Sequence, residues 1–350
     1  MNQGKKKHGC LTMLLIILAL VIGLILVLLG IRAVRMKKNN KVPEGGINES
    51  MYVEINGTKQ WINIYGEKKD NPVLLYLHGG PGSAVSPFII PVTRKWADVY
   101  TVVTWDQRAC GKSWLPDQDS TPITFDLMMQ DGKEMTEYLR KYLNADKITL
   151  LGHSWGSYLG ANLVQKYPEY YDCFIGVGQL VDWQENEKRF EEAAKKWVGT
   201  DSEGKALLEQ LSTDHNRAKS ALLSKYGYAD MDDKVDYNAA HAMLYNPYYS
   251  LGDWKRFFSN DGKRSRDFFE SEEFQHFSLL GSSTYEIPFY NINGEKDYMV
   301  NAELAQEYFD TVEAPRKKLW LMEDTRHGLL LTKTEMFSEI LHEIAAAERQ

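Results

Sequence analysis

The chain has 350 residues, 43% hydrophobic and 25% charged, which is apolar enough for one large or two medium folded units and excludes a disordered chain. Its 41 basic and 48 acidic residues give a net charge of −7 with no long basic stripe beyond the N-terminus, so nucleic acid is not an expected partner. Three cysteines, Cys10, Cys110 and Cys173, supply neither a disulfide framework nor zinc-ligand spacing, and Cys110 reads as a small packing residue.

Residues 1–10 form a tail carrying Lys5, Lys6 and Lys7. Residues 11–30, Leu11 to Gly30, carry no charge over about twenty residues, the length that crosses the hydrocarbon core of a bilayer. The run is longer than the apolar core of a cleaved signal, no Ala-x-Ala-like site follows it, and Cys10 precedes it, unlike a lipoprotein cysteine. An uncleaved single-pass anchor in the cell membrane is expected. Arg32, Arg35, Lys37, Lys38 and Lys41 follow the span and pull towards the cytoplasm, whereas the lysines before it favour an N-in anchor. Large domains translocate largely regardless of charge, and the reading adopted puts the globular part outside the cytoplasmic membrane. Residues 31–50 read as a linker, its stretch from Lys38 with Pro43, Gly45 and Gly46 as a flexible tether.

In the globular part, Met51–Ile55 and Gln60–Tyr65 read as strands around an Asn56-Gly57 hairpin turn. Val73–Leu77 and Tyr100–Thr104 are apolar runs of buried-strand type, and Phe125–Leu143 has helical spacing. Ile148–Leu151, Phe174–Val177, Ile287–Ile292 and Lys318–Met322 continue the strands. Helical patterns lie at Tyr158–Tyr167, Ala302–Phe309 and Glu335–Ala347. Strands alternating with helices imply an α/β fold with a doubly wound, mostly parallel sheet. Residues 182–285 break the pattern with many charges and aromatics and read as a helical cap inserted between two core segments, 51–181 and 286–350. Ligands bind at the C-terminal edge of such sheets, where a cap shapes the pocket and limits water.

The most informative stretch is Gly152-His-Ser154-Trp-Gly156. An apolar strand precedes it and a helix follows, the context of a nucleophile elbow, in which small glycines let the chain turn sharply and push a serine hydroxyl out above the sheet. Such a serine needs a base, and the base needs an orienting carboxylate, in the chain order Ser, Asp or Glu, His. Of the later histidines, His215, His241 and His276 fall in the insertion and His342 inside a terminal helix. His327 follows the last strand, at the sheet edge where the base belongs. Asp297 follows the preceding strand and is the first candidate acid, with Glu295 and Asp324 as rivals and capping of the next helix as its plain alternative role. An oxyanion requires donors from the amide after the nucleophile, Trp155, and from the loop His78-Gly-Gly-Pro-Gly82. Ala109-Cys-Gly-Lys-Ser113 imitates the tail of a phosphate loop, but Asp106 stands where its first glycine is required, and no histidine cluster has metal spacing.

Taken together, His78-Gly-Gly-Pro-Gly82, Trp105-Asp-Gln-Arg108 with Gly111 and Ser113, and Gly152-His-Ser-Trp-Gly-Ser157 resemble the proline iminopeptidase family of α/β-hydrolases. The resemblance runs from about Met51 to the C-terminus and is weakest through the cap. It implies cofactor-free removal of N-terminal residues, often proline, from short peptides. It also implies Ser154, Asp297 and His327 as a triad, with Gly80 and Trp155 as the oxyanion hole. The family binds the substrate's free amine with cap carboxylates, and Glu185 and Glu187 are the best matches here. Ala109 replaces the family's usual glycine, and the anchor is atypical of its soluble members. An esterase, lipase or amide hydrolase using the same triad is the alternative. A non-enzymatic membrane binding protein on this fold would carry a broken triad, and this one looks whole.

Overall fold

The computed structural model describes residues 3–116, 120–229, 231 and 237–349, with side chains from Met13 onward; the side chains of Lys5, Lys6, Lys7 and Cys10 lie outside the described part. Eight strands form one sheet: β1 (Ile47–Ile55), β2 (Thr58–Gly66), β3 (Val73–Leu77), β4 (Thr101–Asp106), β5 (Ile148–His153), β6 (Tyr171–Val177), β7 (Phe289–Gly294) and β8 (Lys317–Met322). Their spatial order is β1-β2-β4-β3-β5-β6-β7-β8. β1 and β2 run antiparallel at one edge, and β4 through β8 are all parallel, so the expected doubly wound, mostly parallel sheet is present.

The described α-helices fall into three sets in chain order. α1 (Gln3–Asn39), α2 (Ile90–Thr93), α3 (Phe125–Tyr142) and α4 (Trp155–Lys166) precede the insertion. Between β6 and β7 come α5 (Trp183–Val198), α6 (Ser202–Gln210), α7 (His215–Lys225), α8 (Ala239–Leu244), α9 (Leu251–Ser259), α10 (Lys263–Phe269) and α11 (Glu272–Gln275). α12 (Ala302–Thr311), α13 (Leu329–Thr332) and α14 (Thr334–Glu348) follow.

Alternation along the strands sends residues to opposite faces, which gives the sheet two cores. Leu75, Leu77, Val103, Leu150 and Phe174 pack with Leu139 of α3 and Leu159 and Leu163 of α4 on one side. Leu74, Tyr76, Val102, Leu151 and Ile175 pack with Trp96 and with Phe337 and Leu341 of α14 on the other. The insertion has a core of its own, from Phe190, Ala194 and Val198 of α5 to Leu222 and Leu223 of α7. The Asn56-Gly57 signal is a two-residue hairpin, with Ile55 facing Thr58 and φ positive at both loop residues, 49° and 74°.

One expectation is corrected. The stretch from Lys38 to Ser50 is not a continuous flexible tether: α1 runs on to Asn39 and β1 starts at Ile47, so that both of its ends lie in regular structure. The reason is polar anchorage on the globular body. Arg32 donates to the carbonyls of Leu244 and Tyr249 at 3.0 and 3.2 Å, Arg35 Nη1 lies 2.7 Å from His241 Nε2, and Asn39 donates to the Tyr245 carbonyl at 3.1 Å.

The antiparallel edge is tied to the rest by a buried ion pair. Asp131 of α3 accepts from Arg108 Nε and Nη2, both at 2.7 Å, and from Gln60 of β2 at 2.8 Å. The Trp105 indole N–H closes the group on Gln60 at 2.8 Å. Removing one partner of a buried, hydrogen-bonded pair costs about 3–5 kcal/mol. Asp131→Ala is therefore expected to lower unfolding free energy by about that amount in chemical denaturation, and a change below about 1 kcal/mol is incompatible with this role.

Candidate active site

Ser154 occupies the sharp turn between β5 and α4 at φ 55° and ψ −122°, a backbone conformation that L-residues rarely adopt. Two glycines make the turn possible by close approach. A Cβ on Gly152 would sit 2.1 Å from the Gly156 carbonyl oxygen, and one on Gly156 would sit 2.2 Å from that of Leu77. The turn is pinned by Ser154 N–H to the Val177 carbonyl at 2.9 Å and by Ser157 Oγ–H to the Ser154 carbonyl at 2.6 Å. Ser154 faces a cavity of about 300 Å³ that also reaches Gly79, Gly80, His153 and His327.

The other two candidates stand together at the same sheet edge. Asp297, 2% exposed, follows β7, and His327 follows β8. Asp297 Oδ2 accepts from His327 Nδ1 at 2.7 Å, while Oδ1 accepts the amides of Met299 and Val300 at 3.0 and 2.9 Å. The two roles weighed for Asp297 thus coexist, one on each oxygen: it ties down the turn before α12 and it orients the imidazole. A buried carboxylate on Nδ1 holds the ring with Nε2 as the acceptor and stabilises the imidazolium when a proton arrives. The rival acids have other work. Glu295 accepts the Asp324 amide at 2.9 Å, bracing the histidine loop, and Asp324 pairs with Lys296 at the surface. The other histidines after Ser154, His215, His241, His276 and His342, lie elsewhere, bonded to Glu187, Arg35, the Glu272 carbonyl and Asp98.

Trp155 is fully buried, its indole donating to Gln107 Oε1 at 3.1 Å and its ring packed against Phe268, Phe274 and Phe277. Its amide opens α4, at the helix end that favours a developing negative charge. Gly80, at φ 115°, lines the cavity from the loop after β3. Gln107 joins the two segments expected to supply oxyanion donors, since its Nε2 donates to the His78 carbonyl at 3.2 Å. Lys112 and Ser113, part of the false phosphate loop, are structural: Lys112 N–H donates to Asp106 at 2.8 Å and Ser113 Oγ accepts the Trp61 amide at 2.7 Å.

Sequence reasoning missed His153. Its Nε2–H donates to the His327 carbonyl at 3.1 Å, and the two rings lie 4.7 Å apart. Burial, aided by the neighbouring His327, pushes its pKa down to about 3, so it stays neutral and positions the histidine loop. The available signal was its place inside the elbow motif.

Glu185 and Glu187 do not join the site. Neither lines the Ser154 cavity. Glu185 is bound by Lys188 and Arg189 along α5. Glu187 is buried between Lys219 Nζ at 2.6 Å and His215 Nε2 at 2.5 Å, both on α7. Burial works to raise the Glu187 pKa, but Lys219 and His215 outweigh it and hold it at about 2. A carboxylate satisfied in this way by the protein's own cations has no free charge for a substrate amine.

A family model described as alpha/beta hydrolase fold matches residues 72–334. The chain belongs to that family. This hydrolase is 25% identical to the probable aminopeptidase YbaC of Bacillus subtilis over 302 residues, 83% of this chain and 93% of the relative. It is 34% identical to a proline iminopeptidase of Lactobacillus helveticus over 103 residues, which cover 29% of this chain and 34% of that relative. A crystal structure of the proline iminopeptidase of Mycobacterium smegmatis superposes with a TM-score of 0.62 at 19% identity, covering 86% of this chain and 98% of the other.

Because its folded pKa lies below the ordinary glutamate value, Glu187 contributes stability at neutral pH that is lost as pH falls from the ordinary value towards 2. Glu187→Gln is expected to cost about 3 kcal/mol at pH 7, read as a lowered Tm, and to leave KM unchanged. A raised KM for amine-bearing substrates at unchanged Tm is the contrary result.

Proposed function

We propose that this hydrolase is a membrane-anchored serine hydrolase that removes N-terminal residues, proline among them, from short peptides through an acyl-enzyme on Ser154. The carrying observation is the 2.7 Å contact of Asp297 with His327 Nδ1 at the cavity that Ser154 faces. His327 takes the proton of Ser154 as the hydroxyl attacks the acyl carbon. Asp297 stabilises the imidazolium, and the amides of Gly80 and Trp155 hold the oxyanion. His327 then protonates the leaving amine, and water resolves the acyl-enzyme by the same route. Residues 182–285 act as a cap on the core formed by 51–181 and 286–350. Support for a peptide substrate comes from the likeness to a probable aminopeptidase across most of the chain.

A second reading, ester hydrolysis of a small acyl substrate, is favoured by the cavity wall. Val85, Phe88, Ile89, Met299, Leu330 and Leu331 line it, and no carboxylate does so among the described residues. Met231 also lines it, and its sequence neighbours Asp230, Asp232 and Asp233, which lie outside the described residues, are the acidic groups nearest in sequence.

The anchor is the part of α1 from Met13, long and apolar enough to cross a membrane. The contacts of Arg32, Arg35 and Asn39 with residues 241–249 support an uncleaved helix, since they make its end part of the body. The globular part lies outside the cytoplasmic membrane in this reading.

Hydrolysis of prolyl and alanyl naphthylamides is to be compared with that of short p-nitrophenyl esters, using the full chain in detergent. Aminoacyl amide cleavage that needs a free α-amine is expected, and ester cleavage alone replaces the first reading with the second. In either case Ser154→Ala is expected to lower kcat by about 10⁴-fold or more, and an unchanged rate contradicts both.

Activity should fall on the acid side as a single proton binds His327. His153 and His78, pushed by burial to about 3 and about 4, are already neutral there and add no second proton. His153→Gln is expected to keep that acid limb in kcat/KM with a lower plateau, and a variant without the limb contradicts the assignment of the base.

A further inference from the structure

Two of the most exposed large apolar side chains outside α1 sit on one short helix. Leu251 and Phe258 of α9 are each 72% exposed, and Leu244, at the end of α8, is 53% exposed. Leu251, Lys255 and Phe258 are spaced four and three residues apart and so share one face of α9, and Lys255 is exposed too. An apolar pair with a lysine between them is poorly suited to water and well suited to a bilayer interface, where the lysine stem stays in the apolar layer and its ammonium reaches the headgroups. Trp254, half-buried and stacked on Phe258 with ring centroids 6.0 Å apart, is a residue type enriched at that depth.

The contacts of α1 fix where this face stands. Arg32, Arg35 and Asn39 lie along one side of the helix and bind the body in order. Arg32, two residues past the apolar run, takes the carbonyls of Leu244 and Tyr249. Arg35 takes His241 and lies over the Tyr245 ring, 4.6 Å from its centroid. Asn39, farthest along, takes the Tyr245 carbonyl, and its own carbonyl accepts from Arg94. The part of the body nearest the apolar run is therefore the segment Leu244–Ser250, and α9 begins at the next residue.

We propose that α9 is an interfacial helix whose Leu251 and Phe258 enter the same bilayer that α1 crosses, so that the globular part is held at the membrane in one orientation. The inference rests on the reading of α1 as an uncleaved span. The occupant is the lipid interface, because the patch continues the level at which α1 leaves the hydrocarbon and has cations that suit headgroup phosphates beside it: Arg32 and Arg35 on the segment that leads into α9, Lys38 beside Tyr245 and Asn246, and Lys255 on α9 itself. The docked segment is also joined to the cavity. Asn246 donates to the carbonyls of Ser86 and Pro87, both at 2.8 Å, next to Val85, Phe88 and Ile89 in the cavity wall.

The full chain with Cys10→Ser is to be reconstituted in phosphatidylcholine–phosphatidylglycerol vesicles. Single cysteines are introduced as Ile22→Cys in α1, Leu251→Cys, Phe258→Cys or Glu209→Cys on α6, and each is labelled with an environment-sensitive fluorophore. Cys110 and Cys173 are buried and stay unlabelled. Incorporating lipids that carry a shallow acyl-chain spin label should quench the probes at 251 and 258 and leave the probe at 209 unaffected. Quenching at 22 from lipids labelled deeper in the chain, without quenching at 251 and 258, overturns the docking of α9 while keeping the span. A blue-shifted but unquenched probe at 258 assigns the face to a second protein copy and also overturns it. No quenching at 22 removes the span, and the inference falls with it.

Discussion

The rest of the site depends on one backbone constraint, the turn at Ser154. A non-glycine residue at φ 55° and ψ −122° costs about 1–3 kcal/mol, and such strain persists only where surrounding contacts over-determine it. Here those contacts are specific. β5 runs straight into α4, Gly152 and Gly156 allow backbone approaches that a single methyl group would block, and Trp155 is sunk into an aromatic cluster that holds the first turn of the helix. The serine is thereby lifted to the sheet edge while its neighbours face inward. Gln107 links the same cluster to the loop after β3, so the two segments offered as oxyanion donors are set relative to each other by one amide side chain.

The candidate acid and base, Asp297 and His327, stand on the turns after β7 and β8. Parallel pairing of β6, β7 and β8 brings those turns beside the Ser154 elbow although they are remote in sequence. Their geometry is braced from below, by Glu295 on the Asp324 amide and by the Met299 and Val300 amides on Asp297. His153 adds the cross-link between the elbow and the histidine loop. Each catalytic candidate is thus fixed by main-chain hydrogen bonds, which tolerate little drift, a property that preorganised acyl-transfer chemistry requires.

Much of this was legible in the sequence wherever the signal was local or topological. Asn56-Gly57 reads as a tight hairpin because both positions need positive φ, and Ser154, Asp297 and His327 were readable because each directly follows a strand of a parallel sheet. Elements whose partners come from distant segments were not readable. Glu187 looks like a free cap carboxylate until α7 brings Lys219 and His215 onto it, 32 and 28 residues away in the chain. The stretch from Lys38 looks like a tether because its proline and glycines are local, whereas the carbonyl that captures Asn39, like the one that captures Arg32 just before it, lies more than 200 residues on. His153 was overlooked because its role is to accompany a neighbour found only in three dimensions.

The central claim is that Ser154 is a nucleophile activated by His327. It is tested most directly by exposing the full chain to a fluorophosphonate and locating the adduct by peptide mass spectrometry. A single adduct on Ser154, formed rapidly in the native chain and far more slowly in His327→Ala, is the expected result. An adduct at another residue, or equal labelling of Ser154 with and without the imidazole, contradicts it.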